Sequence, residues 1–421
     1  MSPPARKLEF NAWINSSGSA DDSWPRAGKP LARIFELDYY LHVARVAHRG
    51  VFSNIFLSDR PQLLMDEKTR PEQTFDPYVL LAAVLGQVPD IGGIVTASTT
   101  YSDPYTLARQ IQSLNLLTKG RIGWNIVTSW HPAIAGNFSD AGLPDRQARY
   151  ERAEEFVEVV LKLWESWQFP WGNENGSYGT AKPIHHKGKH FSVAGPLNLP
   201  AAPWGRPILV QAGGSSSGME LAGRYADYIY APLGSLEGSI AFRRELRQAA
   251  LAAGRPTTSL PKVLPAISPV ILSSEAEVAA YLRDLRERSP VTGDDLASAA
   301  SSLAVVAGTD PDKPLRSGDF VASPQSVIPI GAVNAKRSRA LAGGLSLRGF
   351  AALEKQPEVI GTPTAIADFI VDWWQREAVD GFTISGSYLP DDLERFVEVV
   401  VPVLQARGHY PDSYAPRELA A

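Results

Sequence analysis

Apolar and polar positions along this chain follow two alternating rhythms. Short apolar, β-branched runs are followed by longer stretches whose apolar residues recur three and four apart, the pattern of strands feeding helices. KLEFNAWI (7–14) reads as a first strand and FELDYYLHVARVAHRG (35–50) as a helix stopped by Gly50. VFSNIFL (51–57), IGGIVTA (91–97), RIGWNIV (121–127) and PILVQA (207–212) read as further strands, with helices predicted at 77–88, 104–119 and 146–167. The helix at 146–167 places Tyr150, Ala153, Val157, Val160, Trp164 and Trp167 on one stripe. Arg146 and Tyr150, four apart, share the face of its first turns. YADYIYA, FRRELRQAALAAG and VLPAISPVIL continue the alternation, which returns as a helix at 363–378, a strand at 380–385 and a helix at 390–407.

Two segments break the rhythm. The stretch 169–206 is rich in Gly, Pro and Asn and reads as an excursion with a short hairpin around HHKGKHFSV; 288–360 is polar and Ser/Ala/Gly-rich, a candidate lid. Repeated strand–helix alternation implies a parallel sheet with helical crossovers. Eight such units close into a (β/α)8 TIM barrel, here one domain over 1–421 with insertions near 169–206 and 288–360. Asp59, Thr96, Asn125 and Ser215 each fall at or just beyond the C-terminal end of a predicted strand, and a barrel gathers those ends at one mouth. An open doubly wound sheet usually carries a Gly-rich fingerprint after its first strand; NSSGSADDSWPRAGKP has none.

Several groups carry candidate chemistry. GGSSSG (213–218) suits a phosphate cradle at a helix start, and equally a plain turn with Ser as N-cap. Arg146 and Tyr150 are good phosphate donors, or else a surface Arg and a half-buried Tyr. Asp59 is a carboxylate at a strand end, or an N-cap. Asn125 can serve the polar edge of a flat ring. His131 follows the strand at 121–127 and either moves a proton or is solvated. HHKGKH contains His185, His186 and His190 without Asp or Glu among them, so a surface hairpin is favoured over a metal site.

Composition narrows the classes. Basic and acidic residues number 41 and 45, net −4, which gives no footprint for nucleic acid or an anionic membrane. The absence of Cys removes disulfides and thiolate chemistry and fits a reducing compartment. No secretory signal or membrane-length apolar run is evident, so a cytoplasmic protein is expected.

RIGWNIVTSWH (121–131) and RQARYERAEEFVEVVLKLWESW (146–167) together resemble the flavin-dependent monooxygenases that include nitrilotriacetate monooxygenase and dibenzothiophene-sulfone monooxygenase, a branch of the bacterial-luciferase superfamily. The resemblance continues through VFSNIFLSD (51–59), GGIVTASTTYSDPYTLAR (92–109), 195–230 and 380–408. It implies a luciferase-like barrel that uses FMN as FMNH2 and inserts one atom of O2 into a small organic substrate. A separate NAD(P)H:flavin reductase is implied as partner, and a homo-oligomer is left open. By the same resemblance Ser215 meets the flavin phosphate, Tyr150 contacts flavin, Asp59 lies near the isoalloxazine and Thr96 near its polar edge. Several members carry His where this chain has Arg146. Asp59 and His131 are the candidate catalytic residues. The rival readings are an oxidoreductase of the superfamily using deazaflavin F420, a non-catalytic barrel that binds a phospho-ligand, and a sugar-phosphate lyase or isomerase barrel. The last wants a Lys or paired carboxylates at strand ends.

Overall fold

The computed structural model describes residues 6–14, 16–18, 31–62, 75–168, 179–322 and 330–416. They fall into two compact units. One holds Ala12–Ala212, Tyr225–Tyr228 and the tail from Ser413; the other holds the chain up to Asn11, Gly213–Arg224 and Ile229–Asp412.

In the N-terminal unit the predicted alternation is present. β1 (Glu9–Ile14) enters it at Ala12, followed by α1 (Leu37–Arg49), β2 (Asn54–Leu57), α2 (Pro77–Leu85), β3 (Gly92–Ser98), α3 (Pro104–Leu117) and β4 (Ile122–Val127). A short α4 (Pro132–Ala135) precedes the long α5 (Arg146–Trp164). Two antiparallel pairs come next, β5 (Trp167–Gln168) with β6 (Thr180–Ala181) and β7 (His186–Lys187) with β8 (Ser192–Val193), before β9 (Ile208–Ala212). The second pair is the hairpin expected around HHKGKHFSV. The main strands lie in the order β9-β4-β3-β2-β1, and the pairs β2–β3, β3–β4 and β4–β9 are parallel.

Local chemistry explains where the helices begin. Asp76-Pro77 and Asp103-Pro104 place a capping carboxylate before a proline, whose missing N–H costs nothing at a first helical position. Asp145 caps α5 through the Ala148 amide. Side-chain alternation then sorts the faces of β4. Trp124 is fully buried against Phe156 and Trp164 of α5. Its neighbour Asn125 turns the other way, beside Thr96 in the register. Burying each such aromatic contributes roughly 1.5–3 kcal/mol.

Two expectations need correction here. The helix predicted at 146–167 stops at Trp164, and Trp167 belongs to β5. The buried face of α5 runs through Arg149, Ala153, Phe156, Val160 and Leu163, so its stripe includes Arg149, while Tyr150 is only half-buried. The turn after α1 also differs: Gly50 follows the helix, but Val51 takes the left-handed conformation at φ 56°.

The C-terminal unit continues with α6 (Ser216–Tyr225), β10 (Tyr228–Tyr230), α7 (Leu236–Ala252), β11 (Lys262–Val263), β12 (Ala266–Ile267) and β13 (Val270–Ile271). Then come α8 (Glu275–Arg288), α9 (Gly293–Leu303), α10 (Ile330–Ala342), α11 (Leu347–Glu354), β14 (Ile360–Gly361), α12 (Pro363–Gln375), β15 (Gly381–Ile384), α13 (Asp391–Val399) and α14 (Val401–Ala406). The run 262–267 is interrupted only at Leu264-Pro265, where proline has no N–H to give. Leu264 N–H donates to the Ile229 carbonyl, while the Thr383 and Ser385 amides donate to the carbonyls of Pro265 and Ile267. This broken strand is therefore bonded on both sides. On the far side of β15, a Cβ at Gly381 would fall 1.8 Å from the Glu9 carbonyl oxygen, so only glycine permits that approach.

The single helix expected at 390–407 is two, α13 and α14, because Pro402 cannot donate to the preceding turn. The segment 288–360, read as polar and irregular, contains α9, α10 and α11. The sparse apolar residues of this segment, Ala299, Leu303, Leu315, Ala340, Leu347 and Phe350 among them, converge on one small core. Residues 323–329 and 169–178 of the two insertions lie outside the described residues.

Candidate active site

The strand ends of the N-terminal unit assemble a polar patch from parts chosen by alternation. Thr96 and Asn125 are both buried, and Asn125 Nδ2 donates to Thr96 Oγ1 at 3.0 Å. That bond fixes the amide orientation and leaves Asn125 Oδ1 buried without a donor among the described residues. A buried acceptor in this state is free to take a donor, and leaving it unmet is costly. Asp59 is half-buried two residues beyond β2, and its negative charge helps raise the phenol pKa of Tyr78, after burial and Asp76. His131 serves its own loop, where its Nδ1 accepts the Ala133 N–H at 3.3 Å and caps α4.

At the start of α5 the structure redistributes the expected roles. Arg146 is exposed, its guanidinium 5.7 Å from the centre of the Tyr150 ring. Arg149, one turn on, is the buried arginine. Among the described residues its Nε and Nη1 have no acceptor, and the Tyr101 hydroxyl is likewise buried and unpaired. Burial lowers the Arg149 pKa against the opposing influence of Tyr150 and Tyr101; burial raises Tyr101 against the influence of Arg149.

The C-terminal unit contributes the GGSSSG turn. Ser215 is buried, its Oγ accepts the Gly218 N–H at 3.1 Å and its carbonyl accepts the Met219 N–H. It is therefore a helix cap. The turn is held from outside by α10: a Cβ at Gly331 would lie 2.5 Å from the Gly214 nitrogen. The same unit buries Asn11, Tyr230 and Thr383. Asn11 Nδ2 donates to the Tyr230 hydroxyl at 3.2 Å, and burial pushes that phenol well above its ordinary pKa.

HHKGKH proves to be an anchored hairpin. Glu155 of α5 accepts the His190 and Phe191 amides, both at 2.9 Å, and sits 3.0 Å from His186 Nε2. Burial works against its charge, but His186 and the two amides outweigh it and hold the carboxyl below its ordinary pKa. No group of three or more His, Cys, Asp or Glu among the described residues is arranged to hold a metal.

The structure thus brings Thr96 to Asn125 and Arg146 to Tyr150, and gives His131 and Ser215 capping bonds. Tyr101, Arg149 and the Asn11–Tyr230 pair escaped the reading of the sequence. Arg149 had a signal: it lies four residues before Ala153 on the apolar stripe. Tyr101 had none.

A parallel α/β scaffold with buried, unmet polar groups at its strand ends defines a ligand-binding enzyme class rather than a structural module. The chain belongs to the luciferase-like monooxygenases, whose family profile matches residues 17–381. It is 34% identical over 434 aligned residues to nitrilotriacetate monooxygenase component A of Aminobacter aminovorans, covering 97% of this chain and 94% of the relative. It is 33% identical to N-acetyl-S-(2-succino)cysteine monooxygenase of Bacillus subtilis (strain 168), covering 98% and 96%. Among solved structures, the EDTA monooxygenase of Chelativorans sp. BNC1 superposes with a TM-score of 0.85 at 47% identity, covering 98% of this chain and 97% of that one. The protein is accordingly a flavin-dependent monooxygenase by family. No helix among the described residues is long and apolar enough to cross a membrane.

Proposed function

We propose that this protein binds reduced FMN delivered by a separate NAD(P)H:flavin reductase and transfers one oxygen atom of O2 to a small polycarboxylate at a carbon beside nitrogen or sulfur. The observation that carries the reading is the full-length similarity to enzymes named for nitrilotriacetate, EDTA and a succinylated cysteine, all polyanions. One relative is named as a component, which suits delivery of flavin by a partner.

The residues present fit a flavin. Asn125 Oδ1 is an acceptor awaiting a donor, as the ring N3–H would supply, with Thr96 holding the amide in place. In this reading Ser215, Tyr150 and Arg146 serve the phosphate, and Asp59 and His131 act at the ring end. Bound reduced FMN supplies the two electrons that activate O2; one oxygen atom enters the substrate and the other leaves as water. The chain's own part is to orient the ring and exclude water. We further propose that the strands close as an eight-stranded (β/α)8 barrel, with β11 and β12 the two halves of one strand. The bonds from Leu264 to Ile229 and from Thr383 and Ser385 to 265–267 support it.

The test is anaerobic titration with FMNH2, FMN and reduced F420, then exposure to O2 with a panel of polycarboxylates. Tight FMNH2 binding and an oxygenated product are expected, and NADH alone does not reduce bound flavin. Hydride transfer from F420 without O2 consumption would favour the rival oxidoreductase reading instead.

A further inference from the structure

Arginines 149 and 152 stand one turn apart on α5 and meet opposite fates. Arg152 is satisfied: Nε donates to the Thr99 carbonyl at 3.1 Å, Nη2 to the Ser102 carbonyl at 3.4 Å, and its guanidinium lies 4.4 Å from the centre of the Phe191 ring. Those two carbonyls flank Tyr101, so Arg152 clamps the loop that presents the phenol. Thr100 Oγ1 adds a bond to the Thr128 carbonyl at 2.7 Å, and Phe138 stacks on the Tyr101 ring at 4.5 Å and 8°. The loop is fixed, yet the Tyr101 hydroxyl it fixes has no partner among the described residues.

Arg149 is nine-tenths buried, with Nε and Nη1 both lacking an acceptor. Among the described residues no ion pair to a carboxylate relieves it; Asp145, the carboxylate that acts on its charge, spends its side chain on the Ala148 amide. A buried guanidinium with open donors is a poor structural element, since it loses hydration and gains nothing. Nε and Nη1 point to different sides of the planar fork, so each offers a separate charged donor to an oxyanion. A phenol beside it adds a neutral donor, and the start of a long helix adds a favourable field.

We propose that Arg149 and Tyr101 form a buried oxyanion-binding site that takes a carboxylate or a phosphate ester of a ligand. Arg149 makes the charged contact, Tyr101 the neutral one, and Arg152 positions the loop. The inference rests on the monooxygenase reading only for the choice of probes, which are FMN for a phosphate and nitrilotriacetate for a carboxylate.

The test uses the full chain, its Arg149→Met and Tyr101→Phe variants, thermal unfolding and ligand titration. Inorganic phosphate or nitrilotriacetate raises the melting temperature of the parent. Arg149→Met removes that rise and, without ligand, melts at or above the parent, because an unmatched buried charge has been replaced by an apolar chain. Affinity for the occupying ligand falls about tenfold to a hundredfold in Arg149→Met and about threefold to tenfold in Tyr101→Phe. Loss for FMN with riboflavin unchanged assigns the site to the flavin phosphate. Loss for nitrilotriacetate with FMN unchanged assigns it to a substrate carboxylate. A ligand-free Arg149→Met protein that melts lower and keeps the parent's anion response would overturn the proposal, as would unchanged affinity for both probes in Tyr101→Phe, which stays decisive if Arg149→Met does not fold. A parent that ignores FMN but responds to the anions sinks the flavin reading and leaves this site standing.

Discussion

Arg243 and Arg149 are both buried, with 3% and 9% of their surface exposed, and they differ in what they meet. Arg243, on α7, sends Nε and Nη2 to the two oxygens of Asp380 at 2.9 and 2.8 Å and Nη1 to the Glu377 carbonyl. The Val263 amide also donates to Asp380, at 3.0 Å. Burial pushes the Asp380 carboxyl up, but Arg243, the Val263 amide and Arg6 outweigh it and hold it below its ordinary pKa. Each nitrogen of the Arg243 guanidinium there has an acceptor. Around Arg149 and Asn125, donors and acceptors are buried and left open. The first arrangement is how a fold spends a buried charge on its own stability; the second is what the proposed ligand sites would use.

The comparison can be tested by making each region resemble the other. Asp380→Ala leaves Arg243 as unmatched as Arg149, and should destabilise the protein by about 3–5 kcal/mol in urea unfolding. The pH dependence follows from the sign of the shift. A depressed carboxyl stabilises fully above its unfolded value of about 3.9 and loses that contribution as pH falls through the lower folded value. Asp380→Asn should therefore flatten the acid limb of the stability profile. Glu155→Ala removes the acceptor of two hairpin amides and should cost about 1–3 kcal/mol, read as faster hydrogen exchange at His190 and Phe191. At the reserved side the stability effect should vanish and a binding effect replace it. Asn125→Ala is expected to weaken FMN and riboflavin alike, by about threefold to tenfold, since it serves the ring. Arg146→Ala, at an exposed cation, should weaken FMN by less than about fivefold.

Much of this was legible in the chain. Short apolar runs and period-3.6 patterns located β1 to β4, β9 and their helices, because β2 to β4 are buried on both faces and the helices bury one. Thr96 and Asn125 stand out in the sequence because each falls at or just beyond the C-terminal end of a predicted strand, and the structure pairs them. The rest depended on contacts distant in sequence. Arg149 looks like one more charge in RQARYERAEE until Phe156 and Val160 show that its position faces inward. The placement of Tyr101 shows only when Arg152 pins the 99–102 loop. The helices of 288–360 were hidden because seven small or apolar residues scattered over 299–351 make a core only when brought together. The break between β11 and β12 was announced by Pro265, yet its bonds to both neighbours were not.

Oxygen transfer is tested most directly by isotope. Protein loaded anaerobically with FMNH2 is mixed with 18O2 and nitrilotriacetate or a related polycarboxylate, and the products are weighed by mass spectrometry. One labelled oxygen atom per turnover in the organic product, dependent on FMNH2 and absent with NADH alone, is the expected result. Complete reoxidation of the flavin to give labelled hydrogen peroxide, with no label in any organic product across the panel, would contradict a monooxygenase acting on this class of substrate.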